Sequence, residues 1–397
     1  MYKKLTAVLT AAMLCLYPVN CAKTAATANG EGENKENQPT MYAALVEANT
    51  KTVLTSVNGG AVVSVGTMAK LMTVLLAAEA IEEGTLQLDD VKKTSARANS
   101  MQGAQIWLDI GEEMRISDLL KAVMIGNAND ATVSLAEAAA EADAGVANGG
   151  EFTALMNAKA RELGMVNTSF TNANGYDDSV RQLSTAEEMA VLLAELSRHE
   201  QLRDYFTCRM DYLRDGATQL VSSNILLPSY EGIIGFKAGS IENAGENEGY
   251  FVAAGARRDG ETYTAFVLCD DKDLAFSEAK RLLNSGFTGY QLVKPDLPAD
   301  LPSAIRVKGG VMSEMPLRVG VAGDIVIRNG TLGSVESMVI LPEYIYAPVK
   351  RGGVIGEVRY YQDGNMLFSV NITAAEDTKR VNPLIAFGII LKFIFSF

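Results

Sequence analysis

The chain has 397 residues, more than one ordinary domain, and 48% hydrophobic against 21% charged residues supply a sizeable core. Its formal net charge of -13 argues against a nucleic-acid partner, whose phosphates it would repel. Its one histidine, His199, nearly excludes a histidine-based triad or a multi-histidine metal site, leaving lysines, carboxylates and hydroxyls as proton carriers.

The N-terminus reads as a secretory signal peptide over residues 1–28. Lys3 and Lys4 give a positive start, Leu5 to Tyr17 an apolar stretch too short to span a bilayer, and Ala26-Thr27-Ala28 a small-x-small cleavage site. Cys21 raises a lipoprotein alternative, which Asn20 before it fits poorly. Residues 29–40 lack apolar content and read as a linker.

Residues 41–295 carry an α/β pattern. Tyr42–Glu47 and Thr52–Leu54 are expected strands, and Tyr250–Ala256 with Tyr263–Leu268 forms an expected hairpin around the turn Arg257-Arg258-Asp259-Gly260. Helical periodicity runs through Met68–Glu83, Ile116–Asn127, Asp130–Ala140, Glu151–Leu163 and Thr185–Leu196, the last capped by Ser184 or Thr185. His199 falls in a polar stretch between Arg198 and Glu200 and is expected on a solvated face. Cys208 and Cys269 form no CxxC or zinc spacing and are expected as buried free thiols, with a disulfide as the alternative.

Three prolines in residues 294–303 mark an interdomain linker. Short alternating runs follow at Ile305–Val307, Met315–Val319, Asp324–Ile327, Val335–Ile340, Gly356–Tyr361 and Met366–Val370, giving a small all-β domain over 304–378. Residues 383–397 are apolar except for Gly388, Lys392 and Ser396, which form one narrow polar stripe on a helix. At about 1.5 Å per residue the segment reaches roughly 22 Å, short of the roughly 30 Å bilayer core. An interfacial anchor is therefore expected, with Lys379 and Arg380 meeting anionic headgroups at the membrane surface.

The strongest chemical signal is Gly66-Thr67-Met68-Ala69-Lys70-Leu71-Met72-Thr73. A hydroxyl three residues before a lysine at a helix start places both side chains on one face. Burial beside an apolar helix lowers a lysine's pKa and lets it accept the hydroxyl proton, while the helix N-terminus favours a developing oxyanion. Ser64 lies six residues before Lys70, nearly two turns away, and cannot substitute for Thr67.

This stretch resembles the SxxK box of penicillin-recognising serine enzymes, in the KLMT form of the D-alanyl-D-alanine carboxypeptidase family. Met124-Ile125-Gly126-Asn127-Ala128-Asn129-Asp130-Ala131 is similar to the family's SxN box, and Gly232 to Ser240 to the strand carrying KTG, with Asn243-Ala244-Gly245 after it. Ser95 to Gly111, Leu163 to Asn172 and Leu341–Gly356 resemble supporting segments, so the resemblance covers nearly the whole mature chain in order. Four positions depart from the pattern: Thr67 and Asn127 stand where the family has serine, Ala238 where it has threonine, and Asn174 where many relatives have histidine.

The resemblance implies a β-lactamase/transpeptidase-like catalytic domain followed by a small all-β domain. It makes Thr67 the nucleophile, Lys70 the general base and Asn127 the second-box catalytic residue. Asn129 would bind the substrate amide, Lys237 its terminal carboxylate, and Gly239 and Ser240 would complete the binding edge, with backbone N–H groups at Thr67 and near Ser240 as the oxyanion hole. The implied partners are peptidoglycan stem peptides ending in D-Ala-D-Ala and β-lactam antibiotics, with no cofactor or metal, at the outer face of the cytoplasmic membrane. A catalytically weak, peptidoglycan-binding scaffold is the alternative; a third reading, a β-lactamase, is disfavoured because the sequence offers no candidate deacylating glutamate and because of the C-terminal β domain and tail.

Overall fold

Five antiparallel strands form the central sheet of the first domain, in the order Thr52–Val57, Met41–Glu47, Glu261–Cys269, Gly249–Arg258, Ile233–Ile241. The computed structural model describes residues 40–144, 149–176, 181–241, 249–329, 335–362, 364–383 and 386–387. The expected signal peptide, nearly all of the 29–40 linker, Asn243-Ala244-Gly245 and most of the 383–397 tail lie outside the described residues.

Strand alternation divides the domain into two cores. In Met41–Glu47, Ala44 and Val46 face one cluster while Ala43 and Leu45 face the other. The same split recurs in Gly249–Arg258, between Phe251 and Ala253 on one side and Val252, Ala254 and Ala256 on the other. A sheet covered on both faces explains why these strands read as near-continuous apolar runs. The hairpin turns at Asp259 (φ 50°) and Gly260 (φ 87°), the two left-handed residues that a two-residue connection requires.

The larger core is helical. Its helices are α1 (Ala69–Glu82), α2 (Ala96–Asn99), α3 (Ile116–Met124), α4 (Asn129–Ala144), α5 (Gly149–Glu162), α6 (Ala186–Leu196) and α7 (Arg203–Thr207). At the centre, α1 is buried from Ala69 to Leu75 and at Ala77, Ala78 and Ala80, packed by α4, α5 and α6. Leu71, Met72 and Leu75 are wholly buried there, and truncating such a side chain to alanine costs about 2–5 kcal/mol. Thr185 caps α6, accepting a hydrogen bond from the Glu188 N–H (3.1 Å), so of the two hydroxyls the sequence offered it is the threonine that caps.

An eighth helix, α8 (Lys272–Gly289), covers the opposite sheet face and was not anticipated. Asp271 caps it by accepting from the Leu274 N–H at 2.7 Å, and Ala275, Phe276, Ala279, Leu282 and Leu283 form its buried stripe. The chain also leaves the expected helix early at Met124, because Asn127 is left-handed (φ 58°) and the Ala128 N–H returns to the Ala122 carbonyl.

Residues 294–303 carry no regular secondary structure. Beyond them lies an all-β unit whose six-stranded sheet runs Val335–Ile340, Val354–Gln362, Asn365–Ala374, Glu314–Val319, Ala304–Lys308, Tyr344–Tyr346. Among the strands paired within this unit, two were not expected: Tyr344–Tyr346, which pairs in parallel with Ala304–Lys308, and Tyr290–Val293, which pairs with Ile325–Arg328. Among the described residues no helix is long and apolar enough to cross a membrane.

Candidate active site

The first box begins on a short 3-10 turn, Gly66–Met68, which runs directly into α1. Thr67 is buried on this turn and Lys70 is fully buried in the first turn of α1, three residues on and therefore on the same face. Thr67 Oγ1 makes no hydrogen bond among the described residues. Ser64 lies outside α1, on the two-residue strand Val63–Ser64 paired with Leu183–Ser184.

The loop that carries Asn174 is seated on the Thr67 backbone through Gly175, to which the sequence assigned no role. Gly175 is left-handed (φ 71°), and a Cβ there would lie 1.9 Å from the Gly66 carbonyl oxygen and 2.8 Å from Thr67 Cα. Only glycine permits this approach. The loop is pinned by the Thr73 hydroxyl, which donates to the Ala173 carbonyl at 2.7 Å, and by the Gly175 N–H, which donates to Asn172 Oδ1 at 2.6 Å. Asn174 is buried, accepts from the Tyr176 N–H at 3.1 Å and donates from Nδ2 to Met101 Sδ at 3.2 Å. The sequence signal was the Asn-Gly turn dipeptide at 174–175.

The second box spans the break between α3 and α4. The buried Asn129 donates from Nδ2 to the Gln102 carbonyl at 2.6 Å, and its Oδ1 is left without a partner among the described residues. That oxygen is an acceptor suited to a substrate N–H. Asn127 Oδ1 is likewise buried and unpartnered. The adjacent Asp130, to which the sequence assigned no role, is fully buried and accepts from the Ile106 and Leu108 N–H groups at 3.2 and 3.0 Å. Arg214 holds the same loop from outside, donating to the Ile106 carbonyl at 2.7 Å and to Glu112. The loop presents Trp107, left-handed at φ 60°, to solvent.

The third box lies on the edge strand Ile233–Ile241, which touches the Gly66–Met68 turn. Lys237 is buried and donates from Nζ to the Val123 carbonyl at 2.6 Å, with the Met124 carbonyl at 3.5 Å. These are the last carbonyls of α3, where the helix dipole favours a cation. Burial nevertheless pushes the Lys237 ammonium down to about 7. Ala238 packs in the α8-side cluster with Leu226 and Tyr230, and its carbonyl accepts from the Ser223 hydroxyl. Gly239 is half-buried against the Phe251 ring and Ser240 is exposed.

The fold thus gathers the three boxes: strand Ile233–Ile241 against the Thr67 turn, Lys237 against the end of α3, and α4 alongside α1. A cavity of about 240 Å³ lined by Glu79, Phe152 and Lys159 lies elsewhere, along the outer half of α1. His199 corrects an expectation: it is 5% exposed, because α6 ends at Leu196 and the following turn swings the ring inward beside Glu82. Both cysteines are free; Cys269 is buried as expected, whereas Cys208 is only half-buried.

Thr67 and Lys70, buried three residues apart, Asn129 with its open amide oxygen at the start of the neighbouring α4, and the lysine-bearing strand Ile233–Ile241 make up the candidate site of the α/β domain. The D-alanyl-D-alanine carboxypeptidase family model matches residues 31–271, and that of the penicillin-binding protein 5 C-terminal domain matches residues 290–380. The chain is 30% identical over 343 residues to D-alanyl-D-alanine carboxypeptidase DacF of Bacillus subtilis, covering 85% of each chain. It is 28% identical over 308 residues to DacC of Escherichia coli, covering 76% of this chain and 74% of the relative. The solved structure of penicillin binding protein 5 from Haemophilus influenzae superposes with a TM-score of 0.73 at 25% identity, covering 88% of this chain and all of that one. The cefotaxime-bound penicillin-binding protein D2 of Listeria monocytogenes gives 0.54 at 26% identity, covering 62% of this chain and 96% of that one. The chain belongs to the D-alanyl-D-alanine carboxypeptidase family.

Proposed function

We propose that this protein is a D-alanyl-D-alanine carboxypeptidase that removes the terminal D-alanine from peptidoglycan stem peptides through an acyl-enzyme on Thr67. The observation that carries the reading is the burial of Thr67 and Lys70 on one face, with the unpartnered Asn129 Oδ1 on the adjoining helix α4.

Asn129 Oδ1 accepts the N–H of the stem peptide, and the Lys237 ammonium attracts the terminal carboxylate. Thr67 Oγ1 bonds to the carbonyl carbon of the penultimate residue as its proton passes to the Lys70 amine. Backbone N–H groups at the Thr67 turn and near Ser240 hold the oxyanion. Collapse breaks the peptide bond, and Lys70 returns the proton to the departing D-alanine amine. Water then attacks the ester, again giving its proton to Lys70, and Thr67 recovers its hydroxyl. Asn127 can hydrogen-bond the leaving group but cannot relay a proton as a serine would, so turnover is slow. The same acylation takes β-lactams as pseudosubstrates.

A stem-peptide substrate lies outside the cytoplasmic membrane, and the leader at 1–28 and apolar tail at 383–397 support an exported, surface-anchored protein. One observation favours a second reading, a weakly active or inactive peptidoglycan-binding scaffold: Thr67 Oγ1 makes no hydrogen bond to Lys70 or any other described group. Release of D-alanine from a pentapeptide ending in D-Ala-D-Ala decides between them. The carboxypeptidase reading expects release by the natural protein and none by Thr67→Ala; equal rates from both overturn it.

A further inference from the structure

A second polar cluster lies at the other end of α1, where the reaction has no use for it. Glu79 on α1, Glu195 on α6 and His199 just beyond α6 each bring one ligand-type atom within 4.8 Å of the other two. His199 is 95% buried, and neither ring nitrogen makes a hydrogen bond among the described residues. Its Nδ1 lies 3.0 Å from Glu82 Oε2 without hydrogen-bond alignment. A buried imidazole with neither nitrogen hydrogen-bonded is only partly compensated by the Glu82 carboxylate, and a bound cation would complete that compensation.

We propose that Glu79, Glu195 and His199 bind one divalent transition-metal ion of the zinc class, with Glu82 or water as a fourth ligand. The donor set selects the metal. Calcium and magnesium take oxygen ligands, whereas one imidazole with carboxylates suits zinc. Zinc ligands at about 2.0–2.2 Å stand roughly 3.4 Å apart in a tetrahedron, so the three side chains must close by about 1 Å. Two ammonium groups already engage these carboxylates: Lys51 on Glu195 at 2.6 Å and Lys159 on Glu79 at 3.0 Å, with Arg198 3.8 Å from Glu195. Each carboxylate has two oxygens, so lysine and metal can share it, but the lysines weaken the site. The ion would tie the C-terminal end of α1 to the turn after α6. Glu79 is twelve residues from Thr67, about 18 Å along the helix, so the ion touches no reacting atom.

The test is titration of the chelator-stripped full chain with zinc chloride by calorimetry, with melting temperature and the visible spectrum of the cobalt(II) form as further readouts. The expected result is one ion per chain and a melting temperature about 5 °C higher at a hundredfold excess over Kd. Cobalt(II) should give the intense visible bands of a tetrahedral site, and penicillin acylation should be unchanged. His199→Gln and Glu195→Gln should each weaken binding at least tenfold, and Lys51→Met should tighten it severalfold by freeing Glu195. Should His199→Gln fail to fold, the Lys51→Met titration and the cobalt spectrum still decide. Absence of saturable uptake, octahedral cobalt bands, or affinity unaltered by these substitutions overturns the proposal and leaves surface carboxylates as the source of any uptake.

Discussion

Lys237→Met tests how the buried lysine of the third box is held. The Lys237 ammonium lies at about 7 through burial, against 10.5 in the unfolded chain. Between those values the unfolded state binds more protons than the folded one, so stability must rise with pH. Below pH 7 both states are protonated and the full cost of burying the charge is present. Above 7 the folded state releases its proton and the cost fades, until it vanishes near 10.5. From pH 6 to pH 9 this single group should add about 2–3 kcal/mol, at about 1.36 kcal/mol per unit of difference in proton binding. For a protein of this size that is about 3–5 °C in melting temperature. Methionine has no proton to lose, so Lys237→Met should lack this increment while losing the bond to the Val123 carbonyl at both pH values. The assay is thermal melting of both proteins at pH 6 and pH 9, where the difference of differences cancels every other titrating group. Equal pH increments in the two proteins refute the argument. Because the carboxylate needs the protonated form, acylation by penicillin at low concentration should also fall as pH rises above about 7, in the natural protein alone.

Gly175→Ala should destabilise the fold by at least about 2 kcal/mol and slow penicillin acylation, because its methyl meets the Gly66 carbonyl at φ 71°. Gly164→Ala, at φ 78° with open space around it, is the control: its melting temperature should fall by the conformational share alone, with acylation unchanged. Asn129→Ala removes the open acceptor and should lower kcat/KM for a D-Ala-D-Ala peptide about tenfold or more, measured by D-alanine release. Deleting residues 383–397 should move the protein from the membrane to the soluble fraction with its melting temperature unchanged; persistence in the membrane would return attention to Cys21.

Much of the catalytic domain was legible because its signals are local. Ile116–Asn127 and Thr185–Leu196 show helical periodicity that locates α3 and α6 to within a few residues, and the long, almost continuously apolar run in Met68–Glu83 locates α1. The three boxes could be read for the same reason, since each is a short run of adjacent residues. Most of what escaped depends on long-range pairs. α8 is the exception, because its buried residues Ala275, Phe276, Ala279, Leu282, Leu283 and Gly286 follow helical spacing in the sequence itself. Asp130 reaches back 24 residues to Ile106, and Thr73 reaches forward 100 to Ala173, so neither pairing leaves a trace in local pattern. Gly175 sits in an Asn-Gly dipeptide, whose local signal is only a turn; its contact with the Gly66 carbonyl spans more than a hundred residues. His199 was misplaced because its neighbours Arg198 and Glu200 are polar, whereas its own ring turns inward toward Glu79 and Glu195.

The most direct test of the account is intact-mass analysis after incubation with a labelled penicillin. Threonine's methyl restricts its side-chain rotation and crowds the approaching carbonyl while leaving the hydroxyl's chemistry intact. The natural protein should therefore gain one covalent adduct, localised by peptide mapping to Thr67, and Thr67→Ser should gain it faster. Thr67→Ala and Lys70→Ala should gain none. A natural protein and a Thr67→Ser variant that both stay unmodified, while still binding peptidoglycan, would contradict the enzyme and leave the scaffold.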